Sequence, residues 1–257
     1  MTLFPGGTGV THLAVYDWTG PDGLPGGSAH VHLVCTEGYV VLEGRGRLQT
    51  LGADGFAETP LAPLTVAWFA PGVVHRLVND GGLKILVVMQ NAGLPEAGDA
   101  VLTFPPAHLA DPASYAAAAT LPSDDPAGGA RRRKDLAVDG FLRLRAAVER
   151  DGPDALAEFY ARAADLVRTN LPGWRDRWRD GPLAAATATG DHLDRLAEGG
   201  FHHLHDGRLT VLGPPPEHGY GMCGRLTTYA TAPLGRVRMP ARAAYTDDSC
   251  AATRFQE

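Results

Sequence analysis

The chain has 257 residues, enough to bury a sizeable core as one large or two small domains. With 44% hydrophobic and 20% charged residues it has the composition of a globular protein in water, and a net charge of −6 argues against a nucleic-acid partner. No apolar run is long enough to span a bilayer, the N-terminus lacks the pattern of an export signal, and three cysteines (Cys35, Cys223 and Cys250) show no paired spacing, so a reduced, cytoplasmic setting with no membrane role is expected.

Residues 10–18 read as a first strand. The run His30-Val31-His32-Leu33-Val34-Cys35 comes next, and the spacing of its two histidines points both imidazoles to one face of a strand. Cys35 has the opposite parity to His32 and is read as a buried structural thiol facing away from them. Glu37 follows a polar break at Thr36 and opens a strand over 39–42, expected to end in a hairpin at Glu43-Gly44-Arg45-Gly46. Residues 47–51 and 67–70 continue the sheet, with a turn at Asp54-Gly55. Pro71-Gly72 precedes His75 at the start of another strand. A turn at Asn79-Asp80-Gly81-Gly82 leads into a last strand over 83–89. Short strands with such turns describe a small antiparallel barrel or jelly roll.

Two imidazoles side by side in an apolar interior need a compensating partner, and a divalent metal is the usual one. His30, His32, Glu37 and His75 form the candidate ligand set. Three neutral imidazoles and one carboxylate suit a single Fe, Mn, Ni, Cu or Zn ion; the lack of a second carboxylate disfavours magnesium and calcium. Four protein ligands on an octahedral ion leave two positions open for a small molecule. Tyr39 shares parity with Glu37, and Asn79 with His75, so both are expected to face the cavity and touch a bound substrate.

These residues fall into two blocks, His30-x-His32 with Glu37 and Gly44, and Pro71-Gly72-x-x-His75-x-x-x-Asn79. The pair resembles the two motifs of the cupin superfamily over roughly residues 10–92. Two departures spare the ligands: Leu24 stands where the family has a glycine, and Pro71 is followed directly by Gly72. The resemblance implies a metal-binding barrel open to a small-molecule substrate or ligand.

From about residue 91 the texture changes. Residues 93–130 are rich in Pro, Ala, Gly and Asp and read as a connection, with a short helix around 112–118. Ala137, Phe141, Leu144 and Val148 then form a helical stripe, and Leu156, Tyr160, Ala163 and Val167 a second one after the Gly152-Pro153 break. Trp174 and Trp178 are expected to pack on one helix face. Leu193 and Leu196 mark a helix ending at Gly199-Gly200, a strand is expected over 208–212 before the stop at Pro214-Pro215-Pro216, and another apolar segment lies at 226–229. The fold class is therefore a β barrel followed by an α-helical region: a barrel domain over 1–105, a linker over 106–130, and a mainly helical part over 131–257. The basic run Arg131-Arg132-Arg133-Lys134 reads as the solvated start of a helix. His202, His203 and His205, with His218 and Cys223, are a weaker second metal candidate without carboxylate support.

The function expected is that of a metal-dependent enzyme acting on a small molecule inside the barrel. Isomerases need a proton-transferring group beside the metal. The barrel segment offers one lysine, Lys84, near a turn, while Glu43 and Glu58 also sit next to turns. That tilts the choice towards dioxygenase-like oxidation, against sugar isomerisation or epimerisation and against a non-catalytic metabolite-binding barrel. Exposed sheet edges make a homodimer the expected assembly.

Overall fold

A computed structural model describes residues 4–213 and 219–229. Its sheet is built on two long antiparallel strands, β3 (Glu37–Gly52) and β6 (Val74–Met89). Where hairpins are expected at 43–46 and 79–82, neither strand reverses. The two glycine-rich breaks lie opposite one another, and the pairing slips register at Val41/Glu43, Glu43/Arg45 and Arg45/Gly46. Both strands therefore bend together. Gly44 has φ 74° and approaches so closely that a Cβ would lie 2.2 Å from the Gly82 carbonyl oxygen. The glycine signal was sound, but it marked a bulge and not a chain reversal.

The bend divides the sheet into two facing halves. On one, β5 (Val66–Phe69) pairs the first part of β3, and β1 (Gly9–Val15) pairs the last part of β6. On the other, β4 (Gly55–Leu61) pairs the end of β3, and β2 (His30–His32) lies between β6 and β7 (Ala100–Leu102). Leu13, Val41, Leu77, Leu83 and Ile85 are buried in the core. This is the antiparallel barrel expected, followed by helices.

The chain then enters α1 (Pro112–Ala119), α2 (Pro126–Asp151), α3 (Ala157–Val167), α4 (Leu171–Trp178) and α5 (Ala184–Ala197). The stretch read as a linker thus holds one helix and the start of another. Ala137, Phe141 and Val148 are buried as the stripe predicts. Helix α2 rests directly on the chain leaving β7: Thr103 Oγ1 donates to the Ala137 carbonyl at 2.7 Å, and a Cβ on Gly140 would lie 1.6 Å from the Thr103 carbonyl oxygen. Gly140→Ala is therefore expected to destabilise the fold by about 3 kcal/mol, since backbone faces backbone and neither can yield cheaply. Denaturant unfolding checks this, and a change below about 0.5 kcal/mol would contradict the docking.

Other expectations need correction. Trp174 is buried and donates to the Ala97 carbonyl, but Trp178, at the end of α4 before the π-helical turn that holds Pro182, is 44% exposed. The helix expected around Leu193 and Leu196 is present as α5 and ends just before Gly199, although both side chains are exposed. Residues 208–212 form no strand. The late strand is instead β9 (Gly224–Thr228), preceded by β8 (Gly219–Tyr220); β9 pairs β1 antiparallel, so the sheet draws on residues far beyond 105. The basic run is not solvated throughout. Lys134 is buried, its Nζ donating to the carbonyls of Trp18 and Thr19, and Arg133 donates to the Gly221 carbonyl at 2.7 Å. The triple proline, His218 and Cys250 lie outside the described residues. Among the described residues, no helix is long and apolar enough to cross a membrane.

Candidate metal centre

The pairing of β2 with β6 puts His30 directly opposite His75, and alternation along β2 brings His32 to the same side. Glu37, the first residue of β3, completes the group. All four are buried, and one ligand atom from each lies within 4.8 Å of the others. Nε2 of His75 is 3.1 Å from Nε2 of His30, while Oε2 of Glu37 is 3.0 Å from Nε2 of His75 and 3.2 Å from Nε2 of His32.

What faces away from this point decides what the group can hold. The other nitrogen of each ring meets an oxygen: His30 Nδ1 the Ser28 carbonyl at 3.3 Å, His75 Nδ1 the Val73 carbonyl at 3.0 Å, and His32 Nδ1 the Asp99 carboxylate at 2.9 Å. Carbonyls and carboxylates only accept, so these contacts favour a proton on every Nδ1 and leave the Nε2 lone pairs converging. In that tautomer nothing donates to Glu37 Oε2, which is buried without a hydrogen-bond partner. Three lone pairs and an unpaired carboxylate oxygen gathered in a dry interior repel one another unless a cation joins them. The donor set fits one divalent transition ion.

The electrostatics point the same way. Burial, followed by the neighbouring His75 and His32, pushes His30 well below the ordinary histidine range. Burial would lower His32 too, but its hydrogen bonds to Asp99 and Glu37 prevail and lift it to about 9. Burial would raise Glu37, yet His32 and His75, each with a ring nitrogen close to Oε2, hold it well below the usual carboxylate range whenever one of them carries a proton towards it. Without an ion, a proton on His32 balances the carboxylate.

The surroundings separate the remaining candidates. Tyr39 is buried beside Glu37, its ring 5.4 Å from that of Phe69 and 6.4 Å from that of His75, and its hydroxyl has no hydrogen-bond partner. Burial, then Glu37, keeps that phenol protonated. Asn79 does not match the expectation that it faces the cavity. Its Nδ2 donates to the Val15 carbonyl at 2.9 Å and its Oδ1 accepts from the amides of Gly81 and Leu83, so the side chain is spent on the bend. Parity failed here because the strand stops being regular at this residue.

Two further residues stand near the histidines, one unforeseen from the sequence and one expected elsewhere. Asp99 is buried and also accepts from the amides of Leu33 and Val34, fixing the end of β2 as well as the His32 ring. Nothing in Ala97-Gly98-Asp99-Ala100 signals this; it follows from the pairing of β7 with β2. The sequence associates Cys223 with His202, His203, His205 and His218; in the structure its Sγ lies 3.9 Å from His30 Nδ1 and 3.5 Å from the Ser28 carbonyl, on the far side of the His30 ring from the other ligands. The late histidines form a short turn in which the His203 ring stacks on His192. Cys35 is buried, its thiol raised first by burial and then by Asp99.

No family model and no curated protein matches the chain. Solved structures do resemble it over about a third of its length. A cupin protein from Bacteroides fragilis is 21% identical, covering 34% of this chain and 65% of that one with a TM-score of 0.25. A predicted oxalate decarboxylase from Thermotoga maritima is 21% identical, covering 32% and 64% with a TM-score of 0.25. The Streptomyces protein PAC13 with uridine is 10% identical, covering 33% and 59% with a TM-score of 0.26. The chain thus spans about three-fifths of the length of these proteins.

Proposed function

We propose that the protein holds one divalent transition-metal ion on His30, His32, Glu37 and His75 and acts through it on a small molecule in the barrel. The observation that carries this reading is the convergence of three Nδ1-anchored imidazoles on an unpaired, buried Glu37 oxygen. The bound ion would supply Lewis acidity or a redox-active centre. The protein's own part is to keep Nε2 of each ring free, to hold Glu37 ionised, and to shelter the site behind the Phe69 ring, 4.2 Å from that of His75.

Within that reading, dioxygenase-like oxidation is favoured over sugar isomerisation. Proton shuttling needs a free base, and the candidates are engaged elsewhere: Lys84 pairs with Glu43 at 2.7 Å, and Glu58 with Arg47 at 3.1 Å. Tyr39, neutral and without a partner, is the residue we assign to a substrate contact. Asn79 we assign to the bend.

Elemental analysis of the purified protein, followed by oxygen uptake with small phenols, diketones and sugars, tests the proposal. Metal-dependent uptake with one class supports oxidation, whereas turnover without oxygen points to isomerisation. Ligand binding with neither would make the barrel a sensor. Tyr39→Phe is expected to retain the metal and lower turnover about tenfold or more. Unchanged kinetics would remove Tyr39 from the site.

A further inference from the structure

Beside the metal centre, on the same inner face of the sheet, runs a groove of about 390 Å³ walled by Leu48, Thr50, Thr59, Ala67, Phe69 and Val73. Strand register puts these side chains there. Thr50 is paired with His75 and Leu48 with Leu77, so both face inward with the ligand. Thr59 lies opposite Leu48, while Ala67 and Phe69 lie opposite Tyr39 and Glu37. Phe69 belongs to both places, since it walls the groove and its ring stands 4.2 Å from that of His75.

The chemistry of this wall is narrow. From Thr59 to His75 the sequence contains no Asp, Glu, Lys or Arg. The charged side chains nearest in sequence, Arg47, Glu58 and Arg76, take the opposite parity and are paired on the other face, Arg47 with Glu58 and Asp80, and Arg76 with Asp22. A phosphate, carboxylate or ammonium group in the groove would lose hydration and gain no counter-charge. The polar side-chain atoms on offer are the hydroxyls of Thr50 and Thr59, neither of which bonds to another described residue. A sugar carries more hydroxyls than two threonines can satisfy, and each one left over would be stranded. An apolar cavity of about 150 Å³ is enough to take up benzene, so the room here suits a molecule of one or two rings. Resting on the reading of His30, His32, Glu37 and His75 as the reacting centre, we propose that its substrate is an uncharged, mainly apolar ring compound with one or two hydrogen-bonding groups. It sits in this groove against Phe69, with the Thr50 and Thr59 hydroxyls as its partners.

Calorimetric titration of the full chain, metal-free and zinc-loaded, with p-cresol, p-hydroxybenzoate, tyramine and glucose near neutral pH tests this. The first three share a ring and a phenol and differ in charge. In both forms p-cresol is expected to bind at least about tenfold more tightly than either ion or the sugar. Thr50→Val should weaken p-cresol about fivefold by removing one hydroxyl. Thr59→Lys, at the exposed rim, should strengthen p-hydroxybenzoate about tenfold by supplying the missing counter-charge. A charged member or glucose that matches p-cresol in either form overturns the proposal, as does a p-cresol that fails to bind. Affinities unmoved in both variants overturn it too, by placing the binding elsewhere. Elemental analysis of the same samples judges the metal centre separately: p-cresol bound by a chain that takes up no zinc keeps the groove and removes the metal, and zinc bound with p-cresol ignored does the reverse.

Discussion

His75→Ala is expected to reduce bound metal from one ion per chain to less than a tenth of that. His75, like Glu37, stands beside two of the other three ligands: its Nε2 is 3.1 Å from that of His30 and 3.0 Å from Glu37 Oε2, and the residue is fully buried. Its removal takes away a donor and leaves Glu37 facing a cavity, with only His32 to compensate the carboxylate. A ligand present at a thousand times its dissociation constant stabilises the native state by about 4 kcal/mol, so chelation should lower the melting temperature of the parent by many degrees and leave the variant almost unmoved. Since the proton on His32, held up to about 9, must leave before Nε2 can bind an ion, loading the parent near neutral pH should also release protons, and affinity should rise with pH towards 9. Elemental analysis, melting curves with and without chelator, and an indicator dye in weak buffer measure the three effects. Stoichiometric metal in His75→Ala would refute the ligand assignment.

The candidate ligands were legible because strand parity and turn chemistry act locally. His30 and His32 share a face on any strand, and Pro71-Gly72 places the start of a strand just before His75. The barrel was legible for the same reason, as were the helical stripes at Ala137–Val148 and Leu156–Val167. The failures share a different cause. Gly44 and Gly81-Gly82 announce departures from regular strand, but whether a chain reverses or bends depends on what pairs across from it, and here each break met the other. Asn79 sits at that bend, so its parity with His75 is lost. Cys223 and Asp99 reach the centre through pairings with strands distant in sequence, β9 with β1 and β7 with β2, which no local pattern encodes. Trp68 and Phe69 are neighbours on one strand, so alternation must turn them to opposite faces; which of the two meets His75 is set by the pairing of β5 with β3.

Asp99→Asn is expected to weaken metal binding 10- to 100-fold although no ligand is altered, the loss usual for a partner that orients a ligating histidine. The Asp99 carboxylate accepts three hydrogen bonds, from His32 Nδ1 through Oδ2 and from the amides of Leu33 and Val34 through Oδ1. An asparagine has one acceptor oxygen, and the two backbone amides claim it, because they cannot change what they donate. The amide NH₂ then faces His32 Nδ1, and the ring can meet it only by moving its proton to Nε2. That proton points at Glu37 Oε2, 3.2 Å away, and occupies the lone pair that would bind the ion. The same substitution removes the strongest hydrogen bond holding His32 up, so burial should carry its pKa below 9, a shift that NMR titration of the metal-free protein reads directly. Asp99→Ala, by contrast, leaves the ring and both amides unpaired in a dry interior and should cost stability by about 1–3 kcal/mol for each group stranded. Metal affinity from competition with a chromogenic chelator separates the two substitutions: Asn should lose affinity with most of its stability kept, and Ala should lose both. If Asp99→Asn binds metal as tightly as the parent, the carboxylate serves only to tie down the end of β2, and the orienting role assigned to it is wrong.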